Sequence, residues 1–134
     1  MEGIKMNATD LMIGDLVLIK PEMKPIKIAA VHQKKIGYHV RADKLNWVRF
    51  GLLEPIPLTK EILQHNNFKF IDGGWDQWWH YDPNDVGSDL QLYQNEIGFA
   101  IQGRIDMESN YVHELQHAFR MIKRDKTADN IKLI

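Results

Sequence analysis

The chain has 134 residues, 44% of them hydrophobic and 26% charged, no cysteine, and a formal net charge of −1. That composition is ordinary for a globular protein and suffices for one medium domain or two small ones. It excludes disulfides and thiolate metal sites, and nothing in it requires a staple to hold a core together.

The opening residues Met1 to Met6 lack the apolar stretch of a signal peptide, and no apolar run approaches the ~18 residues needed to cross a bilayer. The expected location is the cytoplasm, with no membrane partner. Charge is uneven along the chain. Residues 1–58 hold nine Lys/Arg against six Asp/Glu, residues 59–109 three against nine, and residues 110–134 five against three. The acidic middle argues against a phosphate backbone wrapped around it, whereas a contact through the N-terminal part is compatible with the charge.

Taken in order, Thr9 to Asp15 reads as a capped turn, with Gly14 supplying a permissive backbone angle. Leu16-Val17-Leu18-Ile19 reads as a strand, and Pro21 and Pro25 bracket a loop. Ile26 to Val31 is a second strand. Lys34 to Gly37 is a turn, and Tyr38-His39-Val40 and Leu45 to Phe50 are the third and fourth strands. Short strands at this spacing predict a small SH3-like or KOW-like β-barrel over residues 1–56. Glu54-Pro55-Ile56-Pro57-Leu58 marks a boundary of extended backbone. Thr59 is a candidate N-cap for a short helix that buries Ile62 and Leu63 and stops at Asn66-Asn67.

Phe68 to Ile71 is the next strand and Asp72-Gly73-Gly74 a hairpin-type turn. In Trp75 to Tyr81, a period of two places Trp75, Gln77, Trp79 and Tyr81 on one face and Asp76, Trp78 and His80 on the other. The first set is expected to be core, and Trp78 an exposed aromatic. Asp82 to Ser88 is a polar loop, and Asp89 to Tyr93 and Ile97 to Gln102 are further strands. The fold class is therefore α+β: the barrel, then a helix–antiparallel meander–helix unit over 57–134 with three or four strands. Residues 127–134 read as a frayed tail or a short added strand.

The closing helix, expected over 110–125 with Ser109 or Asn110 as its cap, is the strongest helical signal. At about 100° per residue, Val112, Leu115, Phe119 and Ile122 form one apolar stripe facing the core. His113 and His117 point the other way, beside Arg120 and Arg124. The same stretch spells His113-Glu114-Leu115-Gln116-His117, the zinc-peptidase pattern of two ligands one turn apart and a carboxylate as base. A catalytic zinc needs a third protein ligand. Only 17 residues follow His117, and they contain neither His nor Glu. Asp125 and Asp129 stand in no ligand motif, and two arginines share the histidine face. The preferred reading is a solvated polar face, with no metal or cofactor expected. A zinc hydrolase with His113 and His117 as ligands and Glu114 as base is the alternative.

Three segments together carry a resemblance: Ala8 to Val17, Glu54 to Leu63 leading into Phe68, and Tyr111 to His117. In this order they resemble a group of small uncharacterised proteins from bacterial genomes, prophages and mobile elements. That group's helix has the form Tyr-Val-His-Gln-Leu-Gln-Asn. Tyr111, Val112, His113, Leu115 and Gln116 match it, while Glu114 and His117 stand where the group has Gln and Asn. The resemblance therefore implies that the zinc-peptidase letters are no part of the shared pattern, and it implies no particular activity. The expected function is a non-enzymatic binding or accessory module of a phage or mobile element, with protein or nucleic acid as partner. The contact region expected from the residues is the basic set Lys34, Lys35, Arg41 and Lys44, with Trp78.

Overall fold

The computed structural model describes Met6 and residues 10–72, 77–81, 90–94, 99–102, 107–108 and 110–133. It is a mixed α+β structure, richer in strands than in helices. The chain divides into two compact units, Met1–Ile56 and Pro57–Ile134. Among the described residues, no helix is long and apolar enough to cross a membrane.

In the first unit, Leu16–Ile19 (β1) pairs antiparallel with Lys24–Lys27 (β2) on one side and Leu53–Pro55 (β6) on the other. A second sheet holds Ala30–Val31 (β3), Lys35–Arg41 (β4) and Lys44–Arg49 (β5) in that order. The two ladders are separate and open, so this is not the closed barrel expected from strand spacing. The expected strand Ile26 to Val31 is the reason. The chain leaves the first sheet at Lys27 and enters the second at Ala30. Between them, the Ile28 N–H donates to the Asp15 carbonyl and the Ala29 N–H to the Gly37 carbonyl. The inward faces of both sheets supply one core, in which Val17, Ile26, Ile28, Ile36 and Leu53 are buried and Tyr38 and Val48 pack against it.

The Thr9 to Asp15 turn is built as expected where it is described. Gly14 has φ of 96°, a left-handed angle that glycine adopts without a Cβ penalty. The Asp15 carboxylate accepts from the Met12 N–H at 2.8 Å. The expected turn at Lys34 to Gly37 is displaced, because β4 already begins at Lys35 and Gly37 lies within the ladder. The stretch expected as a boundary also does more than connect, since Leu53–Pro55 closes the first sheet against β1.

The second unit opens with Lys60–His65 (α1). Thr59 Oγ1 accepts from the Ile62 N–H at 3.2 Å, and the helix ends at Asn66 with Asn67 at φ 68°. A five-stranded antiparallel meander follows, in which each strand pairs with the next in sequence. Its strands are Phe68–Asp72 (β7), Gln77–Tyr81 (β8), Gln91–Gln94 (β9), Phe99–Gln102 (β10) and Met107–Glu108 (β11). The last is one strand more than the sequence pattern suggests. The expected turn at Gly73-Gly74, the side chains of Trp75 and Asp76, and the loop Asp82 to Ser88 lie outside the described residues.

Val112–Met121 (α2) lays its apolar stripe on this sheet. Val112, Leu115, Phe119 and Ile122 are all buried, as their spacing predicts. The Phe119 ring meets Tyr81 at 4.8 Å edge-on and Phe68 at 6.0 Å, and Phe68 and Tyr81 lie 5.5 Å apart, so one aromatic triad ties α2 to β7 and β8. Trp79 is buried on the same strand, and its Nε1–H donates to Gln94 Oε1 at 3.2 Å. Residues 127–134 are not a frayed tail or an added strand where they are described. Asp125–Asp129 forms a short helix (α3) with Ala128 buried, and Ile131 is buried beyond it.

Truncating Phe119 removes the ring shared by both triad partners. Phe119→Ala should lower unfolding stability by about 3–5 kcal/mol, read as a reduced urea midpoint. Met121→Ala, on the exposed side of the same helix, should change it by no more than about 0.5 kcal/mol.

Candidate functional site

Two regions correspond to the residues singled out in the sequence. The first is the His-Glu-x-x-His helix. The cap of α2 is Tyr111, not Ser109 or Asn110. Asn110 is diverted, because its Oδ1 accepts from the Phe99 N–H of β10 at 3.1 Å. Glu114 takes over the N-terminal donors instead: its Oε1 accepts from the N–H groups of Asn110 at 3.0 Å and Tyr111 at 3.1 Å. This is the carboxylate half of a capping box, and it also places a negative charge at the positive end of the helix. The carboxylate is therefore committed to the backbone, a structural duty that a base acting on a metal-bound water does not have.

The polar face is not solvated as expected. His113 is only 7% exposed and Gln116 is fully buried, while His117 and Arg120 are half-buried. The cover comes from two sources that the helical wheel does not contain. The Tyr111 ring stacks on the His113 ring at 6.0 Å and 11°, and His117 meets His113 edge-on at 5.6 Å. On the adjoining side lies α3, where Gln116 Nε2–H donates to the Ala128 carbonyl at 2.9 Å and Arg120 pairs with Asp129 at 3.5 Å. Among the described residues, no group of three His, Asp or Glu side chains is placed to hold a metal. Asp129, one of the two downstream candidates for a third ligand, faces Arg120.

The second region is the β4–β5 hairpin. Its register pairs Lys35 with Arg49, Gly37 with Trp47, His39 with Leu45 and Arg41 with Lys44, with a bulge between His39 and Arg41. Directly opposed residues share a face of a sheet, so Lys35, Gly37 and His39 lie beside Arg49, Trp47 and Leu45. The other face, with Ile36 and Val48, turns to the core. On the outer face Trp47 is 48% exposed. A Cβ built on Gly37 would lie 3.4 Å from Trp47 Cε3 and Cζ3, ordinary contact distance, so the indole passes directly over this position. Lys35 Nζ stands 5.2 Å from the centre of the same ring, within cation–π range. Next to it His32, Lys34, Lys35 and Arg49 line a cleft of about 480 Å³.

The hairpin thus collects Lys34, Lys35, Arg41 and Lys44, as named from the sequence, and adds His32, Trp47 and Arg49, which were not named. The signal for Trp47 and Arg49 was the period of two in Leu45, Trp47 and Arg49, legible once the partner register is known, and His32 carried no such signal. Trp78 is not part of this face. It sits on β8 of the other unit, half-buried, and its ring meets that of Tyr93, its cross-strand partner, at 5.1 Å. It is a sheet-packing residue rather than the exposed aromatic expected.

No family model, no curated protein and no solved structure matches this chain.

The capping role of Glu114 yields a direct expectation. Glu114→Ala should cost about 1 kcal/mol of stability, measured by chemical denaturation. One equivalent of zinc should leave the melting temperature of the parent protein unchanged, whereas a bound structural or catalytic zinc would raise it.

Proposed function

We propose that this protein is a non-enzymatic binding module whose working surface is the outer face of the β4–β5 hairpin, and that its partner is single-stranded nucleic acid. The observation that carries the reading is the pairing pattern. Two cations, Lys35 and Arg49, stand directly opposite one another across the ladder on the face that carries exposed Trp47, while Arg41 and Lys44 pair beyond the bulge, where the step from Leu45 to Lys44 turns that pair to the other face. Like charges directly opposed on a sheet are destabilising. Between residues 31 and 49, Asp43 is the one acidic residue against Lys34, Lys35, Arg41, Lys44 and Arg49. An arrangement that costs stability in the isolated protein is relieved by an anionic partner. A flat exposed indole among cations is the combination that stacks a base while its phosphates are neutralised.

In this reading the first unit is SH3-like, supported by two short antiparallel sheets around one core. A role as an accessory module of a phage or mobile element rests on the resemblance of the three segments described above. The zinc-hydrolase alternative receives no support from a helix whose glutamate caps its own N-terminus.

A labelled single-stranded oligonucleotide should bind with an affinity that falls steeply with salt, and it should quench tryptophan fluorescence. Trp47→Ala should weaken binding by about 1–3 kcal/mol, the usual worth of one stacked base. Replacing Lys35 and Arg49 with Gln should flatten the salt dependence by roughly one unit of slope per lost phosphate contact. Affinity that is independent of salt and indifferent to Trp47 would remove nucleic acid as the partner. Salt-sensitive binding of polyglutamate that equals or exceeds oligonucleotide binding would assign the face to an acidic protein instead.

A further inference from the structure

The second unit contains a cleft that the hairpin reading does not use. It has a volume of about 330 Å³, within the range of small-ligand sites. His65 and Asn67 reach it from the end of α1, Tyr81 from β8, Lys126 and Thr127 from α3, and Lys132 from the segment beyond. Among the described lining residues there is no carboxylate. Two ammonium groups, an imidazole, a phenol, a hydroxyl and three amides surround one space.

The walls are held by two buried carboxamides. Asn66 is 6% exposed, and its Nδ2–H₂ donates to the Ile62 carbonyl at 2.6 Å and to the Lys132 carbonyl at 2.7 Å. Its Oδ1 accepts from the Lys132 N–H at 2.7 Å. One side chain thereby pairs with both backbone groups of Lys132, as a strand partner would, 66 residues away in sequence. Gln116 does the same service for α3 through the Ala128 carbonyl. The Tyr81 and Thr127 hydroxyls lie 3.4 Å apart, linking β8 to α3 across the cleft wall. Burying amides is costly unless each is satisfied, and here the satisfied bonds fix the backbone from which each lysine projects. Backbone held in this way is preorganised, so a ligand need not be bound at the expense of ordering the chain. Lys126 and Lys132 both line this space, which gives it the charge to receive an anion.

We infer that this cleft binds a phosphate group, as the free ion or as the monoester of a small metabolite, with Lys126, Lys132 and Tyr81 as its principal donors. The site is independent of the hairpin and of its partner.

The test is a titration of the full chain with inorganic phosphate, followed by amide shifts in ¹H–¹⁵N spectra, against sodium chloride at matched ionic strength. Saturable shifts confined to the amides of Asn67, Thr127 and Lys132 and their neighbours are expected with phosphate only. The double substitution Lys126→Gln and Lys132→Gln should raise the apparent Kd at least tenfold, and Tyr81→Phe should raise it by a smaller factor. Asn66 bonds the backbone of residue 132, so Lys132→Gln leaves the clamp in place, and an unchanged melting temperature verifies this. Trp47→Ala should leave phosphate binding as it is. A parallel titration with glycerol phosphate separates the two sources: tighter binding than the free ion identifies an ester ligand, and equal binding identifies the phosphate group alone. Shifts reproduced by chloride, or a Kd unmoved by the double substitution, overturn the assignment.

Discussion

Asn66 and Gln116 bear the constraint on which the second unit depends. Both are polar side chains taken out of water, and each would cost free energy if left unbonded. Each instead satisfies backbone groups of a segment too short to hold itself. Asp125–Asp129 is a helix of one and a half turns, below the length at which a helix persists alone. The bond from Gln116 and the burial of Ala128 and Ile131 supply what its own hydrogen bonds cannot. Residue 132 has no ladder and is held by a carboxamide instead. With these two contacts in place, α3 covers one side of α2, and His113 and Gln116 of that helix are interior.

The same logic bears on the His113-Glu114-Leu115-Gln116-His117 stretch. The motif's chemistry needs a carboxylate turned to an open coordination position and two imidazoles on one accessible face. In this helix the carboxylate turns back to the amides of Asn110 and Tyr111, and the first imidazole is covered by the Tyr111 ring. Asn110 sets this in motion. Because its side chain serves Phe99 of the sheet, the helix needs another cap, and Glu114 is at the right position to be one.

The first unit shows a different economy. Its core needs only one face of β4 and β5, which frees the other for charge. A Cβ on Gly37 would meet the Trp47 ring at 3.4 Å, ordinary contact distance, so the indole passes close over residue 37 and stands exposed beside Lys35. The hairpin therefore gathers a concentration of positive charge that the modest balance of residues 1–58 conceals.

Period and capping chemistry were enough to read much of this from the chain alone. The stripe Val112, Leu115, Phe119 and Ile122, the Thr59 cap, the stop at Asn66-Asn67, β1 at its observed bounds and the buried side of β8 at Trp79 and Tyr81 all follow from local rules. Each depends on residues a few positions apart. What local rules could not supply was anything fixed by a partner distant in sequence. The split of one apolar run into β2 and β3 depends on which sheet each half joins. The burial of His113 and Gln116 depends on Tyr111 and α3. The choice of Trp47 over Trp78 as the exposed aromatic depends on strand register, because a tryptophan in a strand has the same local signature on either face. The sequence by itself determined where chain segments turn, curl or extend. Only the tertiary structure decided which polar side chains are interior, because that outcome rests on hydrogen bonds such as Asn66 to Lys132, whose partners lie half a chain apart.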